Sequence, residues 1–386
     1  MAQRHDGRLD PSGVERLRRA IDADISAGLC DGVSLCVDID AAPALEIRAG
    51  FAERRAGRAL LADDVFVTMS VGKQFINTVV LAAIDRGELS FLTTVAEVLP
   101  CFAGSAWRGM TVSHLLCNTS GILAEAPAVP ADVLMDPARL SAFAAAKGPQ
   151  FAPGSRVSYS TVAAHAVLSE IVRAVDGGSR EFSDIVRAEL FEPLGMHDSS
   201  LGYRADLMAR LCPVVACYSE PGLFEPRGME AFTQLVAIPG ASMPAGGYLT
   251  TAPDMRRFVR MLAAGGELDG VRILSPAMLS LCARNQTGSL PNDLFEPILG
   301  ARGWLPWPAC MGLGFYVRGD ALTPGPLPNL ASAPTIGGWG AGSTAFWSDP
   351  VNKVGFSFLS TGLMEDTRHL QRIQRFSDMV LSALRH

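Results

Sequence analysis

Val14, Leu17, Ile21 and Ile25 recur at helical spacing behind Asp10-Pro11, which predicts an amphipathic helix from Pro11 to about Ala27. The pattern then changes period. Val33 to Asp38 is rich in branched residues and Ala44 to Gly50 answers it across Ala41-Ala42-Pro43, a hairpin signature. From Ser70 the helical spacing returns, with Phe75, Ile76, Val79, Val80, Ala83 and Ile84 forming one apolar stripe that stops near Gly87.

Shorter helical patterns cover Thr111 to Leu116, Ala138 to Ala146, Thr161 to Val175 and Ser183 to Leu190, separated by Pro/Gly loops. A further helix is expected from Pro253 to Ala264. Strand character returns in Gly314 to Arg318, Ser343 to Trp347 and Val354 to Ser360, before a closing helix over Thr367 to Leu384. Both ends of the chain therefore build one sheet. The expected fold is α/β: an antiparallel sheet flanked by helices, made from residues 1–88 and 236–386, with a mostly α-helical domain inserted at 89–235. The segment Asn285 to Pro308 holds two Trp and four Pro. Either it walls a binding cleft, or Trp304 and Trp307 simply pack down on a surface loop.

Composition narrows the functional classes. At 386 residues, with 48% hydrophobic and 19% charged positions, the chain is globular and long enough for a large core. A net charge of −6 with no basic block speaks against nucleic acid as a partner. Apolar runs such as Thr78 to Ile84 are far shorter than the roughly 18 residues of a membrane-spanning helix, so no membrane partner is expected. The polar N-terminal stretch lacks a signal-like apolar core, and eight cysteines are scattered without CxxC spacing; together they predict a cytoplasmic protein with buried thiols. Six histidines show neither HExxH nor paired Cys/His spacing, so no metal site is expected. No Gly-x-Ser continues to a Gly at the fifth position, which removes the α/β-hydrolase elbow.

What remains is Ser70-Val71-Gly72-Lys73 at the mouth of the apolar helix, a spacing of three that sets both side chains on one face. The helix N-terminus favours a developing oxyanion and an uncharged amine. The chain uses 30 Arg but only three Lys, namely Lys73, Lys147 and Lys353. An amine can deprotonate where a guanidinium cannot, and Lys73 lies within an apolar run; a snorkelling surface role suits the other two better.

The ordered segments VFVTMSVGKQF, MTVSHLLCNTSGI, FAPGSRVSYST, FEPLGMHDSSLG and PAGGYLTTAPDM, followed by FVRMLAAGGELDG, resemble the serine β-lactamase and penicillin-binding-protein superfamily. The likeness is greatest to its class C-like branch, which includes family VIII carboxylesterases and related acyltransferases, and it spans roughly Asp63 to Ser360. It implies a β-lactamase/transpeptidase-like fold and an acyl-enzyme mechanism without metal or organic cofactor. By the same resemblance Ser70 is the nucleophile, Lys73 its partner, and Tyr159 of Tyr159-Ser160-Thr161 the phenolate or hydrogen-bonded phenol that moves the proton; the plain alternative for Tyr159 is a loop ring packed under the next helix.

Two departures qualify the resemblance. Thr161 stands where the pattern has Asn, which weakens recognition of an amide in the substrate; alternatively Thr161 caps the following helix. Counting back from Asp349-Pro350 places Gly338-Trp339-Gly340 at the third motif, where relatives carry a cation that holds a carboxylate. A register slipped by one puts Trp339 first, as in the Trp-Gly-Gly of family VIII esterases, and either register predicts an apolar, uncharged pocket. The oxyanion hole is expected from the amides of Ser70 and Ala341, with Gly340 and Gly342 letting substrate approach closely or merely easing a bulge.

The expected activity is that of a serine hydrolase acting on esters or thioesters with a small to medium, largely apolar acyl group. Its partners are a small-molecule acyl donor and water or another acceptor. A β-lactamase or D-amino-acid peptidase is the alternative within the class. A non-catalytic binding protein that keeps the fold is the alternative outside it.

Overall fold

The computed structural model describes residues 4–5, 7–124, 129–219, 222–323 and 325–385. Helix α1 (Pro11–Ser26) is capped by the Asp10 carboxylate, which accepts from the Gly13 amide, and buries Val14, Leu17 and Ile21 as the spacing requires. The hairpin follows as β1 (Gly32–Ile39) and β2 (Ala42–Glu53). Its turn lies one residue earlier than expected, at Asp40 and Ala41, both with positive φ (49° and 57°). Such a two-residue turn matches the twist of the strands, and Pro43 is accommodated inside β2 because the ladder shifts register between Val37 and Asp38 opposite it.

Strand β3 (Val65–Val67) leads into a single tight turn, Met69–Val71, and then α2 (Gly72–Asp85), which is buried from Gly72 to Ala83. Around it lie α3 (Pro137–Lys147) and α4 (Ala163–Val175). The helix expected over 183–190 starts at Phe182 and widens into a π-helical turn, Arg187–Phe191. Strand β4 (Tyr248–Thr251), which the hydrophobic pattern did not reveal, runs into α5 (Ala252–Ala263). The chain ends in β5 (Tyr316–Val317), β6 (Ile336–Gly340), β7 (Thr344–Asp349), β8 (Val354–Thr361) and α6 (Asp366–Ser382).

The main sheet is antiparallel, in the order Arg4–His5, β2, β1, β8, β7, β6, β5, with Arg58–Ala59 paired to β2. Strands from the two ends of the chain meet at its centre, where Thr361 pairs with Gly32 and Val354 with Ile39. Both faces are covered, so the central strands β1, β7 and β8 are buried at every position, polar residues such as Ser34, Asp38 and Ser357 included. Val33, Leu35, Val37, Trp347, Phe356 and Phe358 point to the layer formed by α1 and α6. Cys36, Phe346 and Leu359 point the other way, into a core shared with α2, α4 and α5. Phe75 of α2 holds that core together, meeting Phe191, Tyr248 and Phe258 edge to face at 4.9–5.4 Å. A second, small sheet (β3, β4, Ser200–Leu201) anchors the entry to α2.

Candidate active site

Ser70 stands on a strained support. Met69 before it has φ +50°, a left-handed conformation that a long side chain rarely adopts, and the backbone of Gly246 packs against it. Thr68 is fixed on both sides of this turn: its amide donates to the Tyr248 carbonyl (2.9 Å), and its carbonyl accepts from the Thr344 hydroxyl (2.7 Å). Strand β4 and strand β7 thus hold the turn that aims Ser70.

Lys73 lies one turn on, only 2% exposed. Its Nζ is 3.1 Å from Ser70 Oγ and 2.8 Å from each of the Thr161 and Ala245 carbonyls. Burial without a neighbouring carboxylate pushes the amine down to about 7. In the neutral form two N–H groups donate to the two carbonyls, and the lone pair is left to accept the Ser70 proton. His165 of α4, buried nearby, is itself held well below its usual range by burial and by Lys73.

Tyr159 completes the cluster. Lys73 Nζ lies 4.9 Å from its ring centroid, and Tyr159 and Ser70 border the same recess. Burial pushes the phenol well above its ordinary value, which favours the protonated phenol over the phenolate. The loop that carries Tyr159 is pinned by two asparagines. Asn292 Oδ1 accepts from the Tyr159 amide (3.0 Å) and Asn118 Oδ1 from that of Ser160 (3.3 Å). Neither asparagine was singled out from the sequence, because nothing local to either position announces a partner 42 or 133 residues away.

Thr161 reaches Lys73 through its backbone carbonyl. Its hydroxyl donates to the Ala124 carbonyl (2.8 Å), so it takes neither the place of an amide nor that of a helix cap. The amide that a cap would serve, that of Ala164, donates instead to Ser160 Oγ (3.0 Å).

Strand β6 passes directly beside the serine. A Cβ on Gly340 would fall 2.8 Å from the Ser70 amide nitrogen, 2.8 Å from Met69 Cβ and 2.3 Å from Thr344 Oγ1. On Gly342 (φ +61°) it would strike the Met364 carbonyl at 2.3 Å, and on Gly338 the Gln74 amide oxygen at 2.3 Å. These three glycines make room for the protein's own chain, where the sequence suggested room for substrate at Gly340 and Gly342. Ala341 borders the open space beside Ser70, and Trp339 faces a recess shared with Ser70 and Tyr159.

The space itself has two arms. A cavity of about 450 Å³ runs from Ser70, Thr161 and Ala341 between Leu134, Met229, Phe232, Met243 and Leu294. A smaller recess lies between Tyr159, Phe295, Trp339 and Asp366. The expectation of an uncharged pocket is corrected here: Asp366, 3% exposed, contributes a carboxyl that burial and the adjacent Glu365 push up to about 7. The segment 285–308 does wall the site, through Leu294 and Phe295. Trp304 and Trp307 lie 6.0 Å apart, tilted at 52°, and pack down onto the core, the second of the two expectations for them; they line neither arm.

A sheet of chain-end strands backed by helices, with a serine and a buried lysine one turn apart on a central helix, defines the class of serine hydrolases with the β-lactamase and penicillin-binding-protein fold. A family model described as beta-lactamase matches residues 17–376, and the chain belongs to that family. It is 32% identical over 296 residues to penicillin-binding protein 4 of Amycolatopsis lactamdurans, covering 73% of each protein. It is 24% identical over 359 residues to the esterase/beta-lactamase LipL of Mycobacterium tuberculosis (strain ATCC 25618 / H37Rv), covering 86% of this chain and 77% of LipL. A solved family VIII carboxylesterase shares the fold over 100% of both chains, with a TM-score of 0.79 at 21% identity.

Proposed function

We propose that the protein is a carboxylesterase or acyltransferase that works through an acyl-enzyme on Ser70, with esters or thioesters of small to medium apolar acids as donors. One observation carries the reading: an amine buried without a counter-charge, poised near neutrality against the Ser70 hydroxyl at the mouth of an apolar chamber. Ser70 Oγ attacks the carbonyl as its proton passes to Lys73 Nζ. The amides of Ser70 and Ala341 stabilise the oxyanion. Tyr159 gives its hydroxyl proton to the leaving oxygen and regains one from the Lys73 ammonium. Water or another acceptor then enters by the vacated side, and the same transfers run in reverse.

The absence of a cation in Gly338-Trp339-Gly340, together with a carboxyl at Asp366, disfavours carboxylate-bearing β-lactams and peptides as substrates. A cytoplasmic setting fits the eight free cysteines and forms part of the same reading. Intact-mass analysis after incubation with p-nitrophenyl butyrate tests it. A butyryl adduct on Ser70, lost in Ser70→Ala, is expected; a folded protein that no activated ester acylates, or one that turns over nitrocefin as readily as esters, overturns it.

A further inference from the structure

Arg372 lies on the buried face of α6, 2% exposed, with its guanidinium carbon 5.0 Å from the centre of the Phe358 ring. Among the described residues its Nε and Nη1 have no hydrogen-bond partner, and no carboxylate pairs with it. Asp24, an acid whose charge reaches it, is held instead by Arg375 (2.9 Å). A cation shut away without a counter-charge costs more than an apolar side chain of similar length would in that place, so packing alone does not account for it.

Its hydrogen bonds leave from one nitrogen. Nη2 lies 2.9 Å from the Gly342 carbonyl, 2.8 Å from His369 Nδ1 and 3.3 Å from Ser360 Oγ. The first of these leads to Ala341. Gly342 shares its peptide bond with the Ser343 amide, which donates to the Gly340 carbonyl (3.3 Å), and Gly340 shares its own with the Ala341 amide. Each hydrogen bond in such a series polarises the next, so the positive charge at Nη2 makes the Ala341 N–H a stronger donor. The second leads toward Ser70. With Nδ1 accepting, the His369 proton sits on Nε2 and donates to the Thr344 carbonyl (3.2 Å), while the Thr344 hydroxyl holds the Thr68 carbonyl (2.7 Å) at the start of the serine turn. One branch ends at the Ala341 amide and the other at the turn that presents the Ser70 amide.

Resting on the esterase reading above and on its choice of oxyanion donors, we propose that Arg372 is a positioning residue for acyl transfer: through Gly342 and Gly340 it orients and strengthens the Ala341 donor, and through His369 and Thr344 it fixes the turn that carries Ser70. The guanidinium touches no reacting atom. It acts on charge that appears only as the carbonyl oxygen becomes negative, so it lowers the barrier rather than tightening the hold on the ester.

Arg372→Met keeps an apolar stem against Phe358 and removes the charge. For p-nitrophenyl butyrate its kcat is expected to fall about 10²-fold with KM within about twofold of wild type. Butylboronic acid reads the same donors without turnover, because Ser70 Oγ adds to boron as its proton passes to Lys73, leaving a tetrahedral anion in the oxyanion site. Its affinity, measured by calorimetry, is expected to fall by a similar factor of about 10². Arg372→Lys keeps a charge but ends one bond short of Nη2, and a loss of about tenfold is expected in both measurements.

A folded Arg372→Met whose kcat and boronate affinity stay within about threefold of wild type overturns the inference and leaves the esterase reading intact. So does a rise in KM at constant kcat, which would give Arg372 a part in binding alone. If Arg372→Met does not fold, Arg372→Lys decides, and a boronate affinity equal to that of wild type overturns the inference. Boronate affinity lost in Arg372→Met, in a protein that no activated ester acylates, supports the inference and overturns only the esterase reading.

Discussion

Two buried groups, one basic and one acidic, are driven toward neutrality from opposite sides: Lys73 down to about 7 and Asp366 up to about 7. Only the first is needed for attack on an uncharged ester, so kcat/KM for p-nitrophenyl butyrate is expected to rise with pH through about 7 as the amine loses its proton. The same rise in Asp366→Asn would assign it to Lys73; a flat profile in the wild type would remove the lysine from the proton path. Lys73→Arg keeps the charge and the hydrogen-bonding but cannot deprotonate, and a loss of about 10²- to 10⁴-fold in kcat is expected from steady-state assays. Asp366 also leaves a mark on stability. Its folded carboxyl holds a proton more tightly than the unfolded one, so its contribution is fully present below about pH 4 and is lost as pH rises to about 7. Above that, the shift corresponds to a deficit of about 4 kcal/mol, which Asp366→Asn is expected to recover in large part. The difference in Tm between variant and wild type should widen between pH 4 and pH 7 and stay level beyond; a gap independent of pH would show that the carboxyl titrates in the fold as it does in the unfolded chain.

At the level of elements, the site depends on how closely β6 approaches the turn before α2. Gly340→Ala forces a methyl group between Thr344 Oγ1, Met69 Cβ and the Ser70 amide. The strand must withdraw, at a cost of about 1–3 kcal/mol in denaturant unfolding, and kcat should fall more than KM rises because the oxyanion donors move while the chamber remains. A variant with unchanged kcat would place the oxyanion elsewhere. This closeness also marks how far the sequence could be read. The stripe of α2, the hairpin, the chain-end strands and the Ser-x-x-Lys pair were legible because each is a periodicity or spacing within one element. Strand β4, the strained Met69, the pinning of Tyr159 by Asn292, and Asp366 in the recess were not, since each is defined by a meeting of distant segments. Asp366 in particular looks like an ordinary acidic residue in a helix's first turn, and only the packing of Leu223 and Phe295 around it shows otherwise. The two readings open for 285–308 both hold, for different side chains: Leu294 and Phe295 wall the site, while Trp304 and Trp307 pack down against each other and the core beneath them.

For the molecule as a whole, we propose that 89–235 acts as a helical insert whose last part, from Leu223 to Phe232, roofs the larger chamber. Gly228, in the helix Pro226–Glu230, borders that chamber, and a Cβ there would meet nothing within 4 Å. Gly228→Leu should therefore occupy volume meant for acyl chains. Relative to acetate, the kcat/KM for p-nitrophenyl octanoate is expected to drop by about tenfold or more, with stability unchanged or raised; an unaltered chain-length profile would move the acyl group out of this arm. Among the described residues no helix is long and apolar enough to cross a membrane. The sheet order has a further effect in time. Strand β1 waits for β8, and Ser70 for the strand carrying Gly340, about 270 residues later in the sequence. At ribosomal rates of about 5–20 residues per second, the nascent chain spends on the order of a quarter of a minute to a minute with its serine and lysine already made but the oxyanion cradle not yet synthesised. During that interval an unsatisfied strand edge is on offer to any neighbour, so folding helpers that shield β1 matter most just before the chain acquires its chemistry.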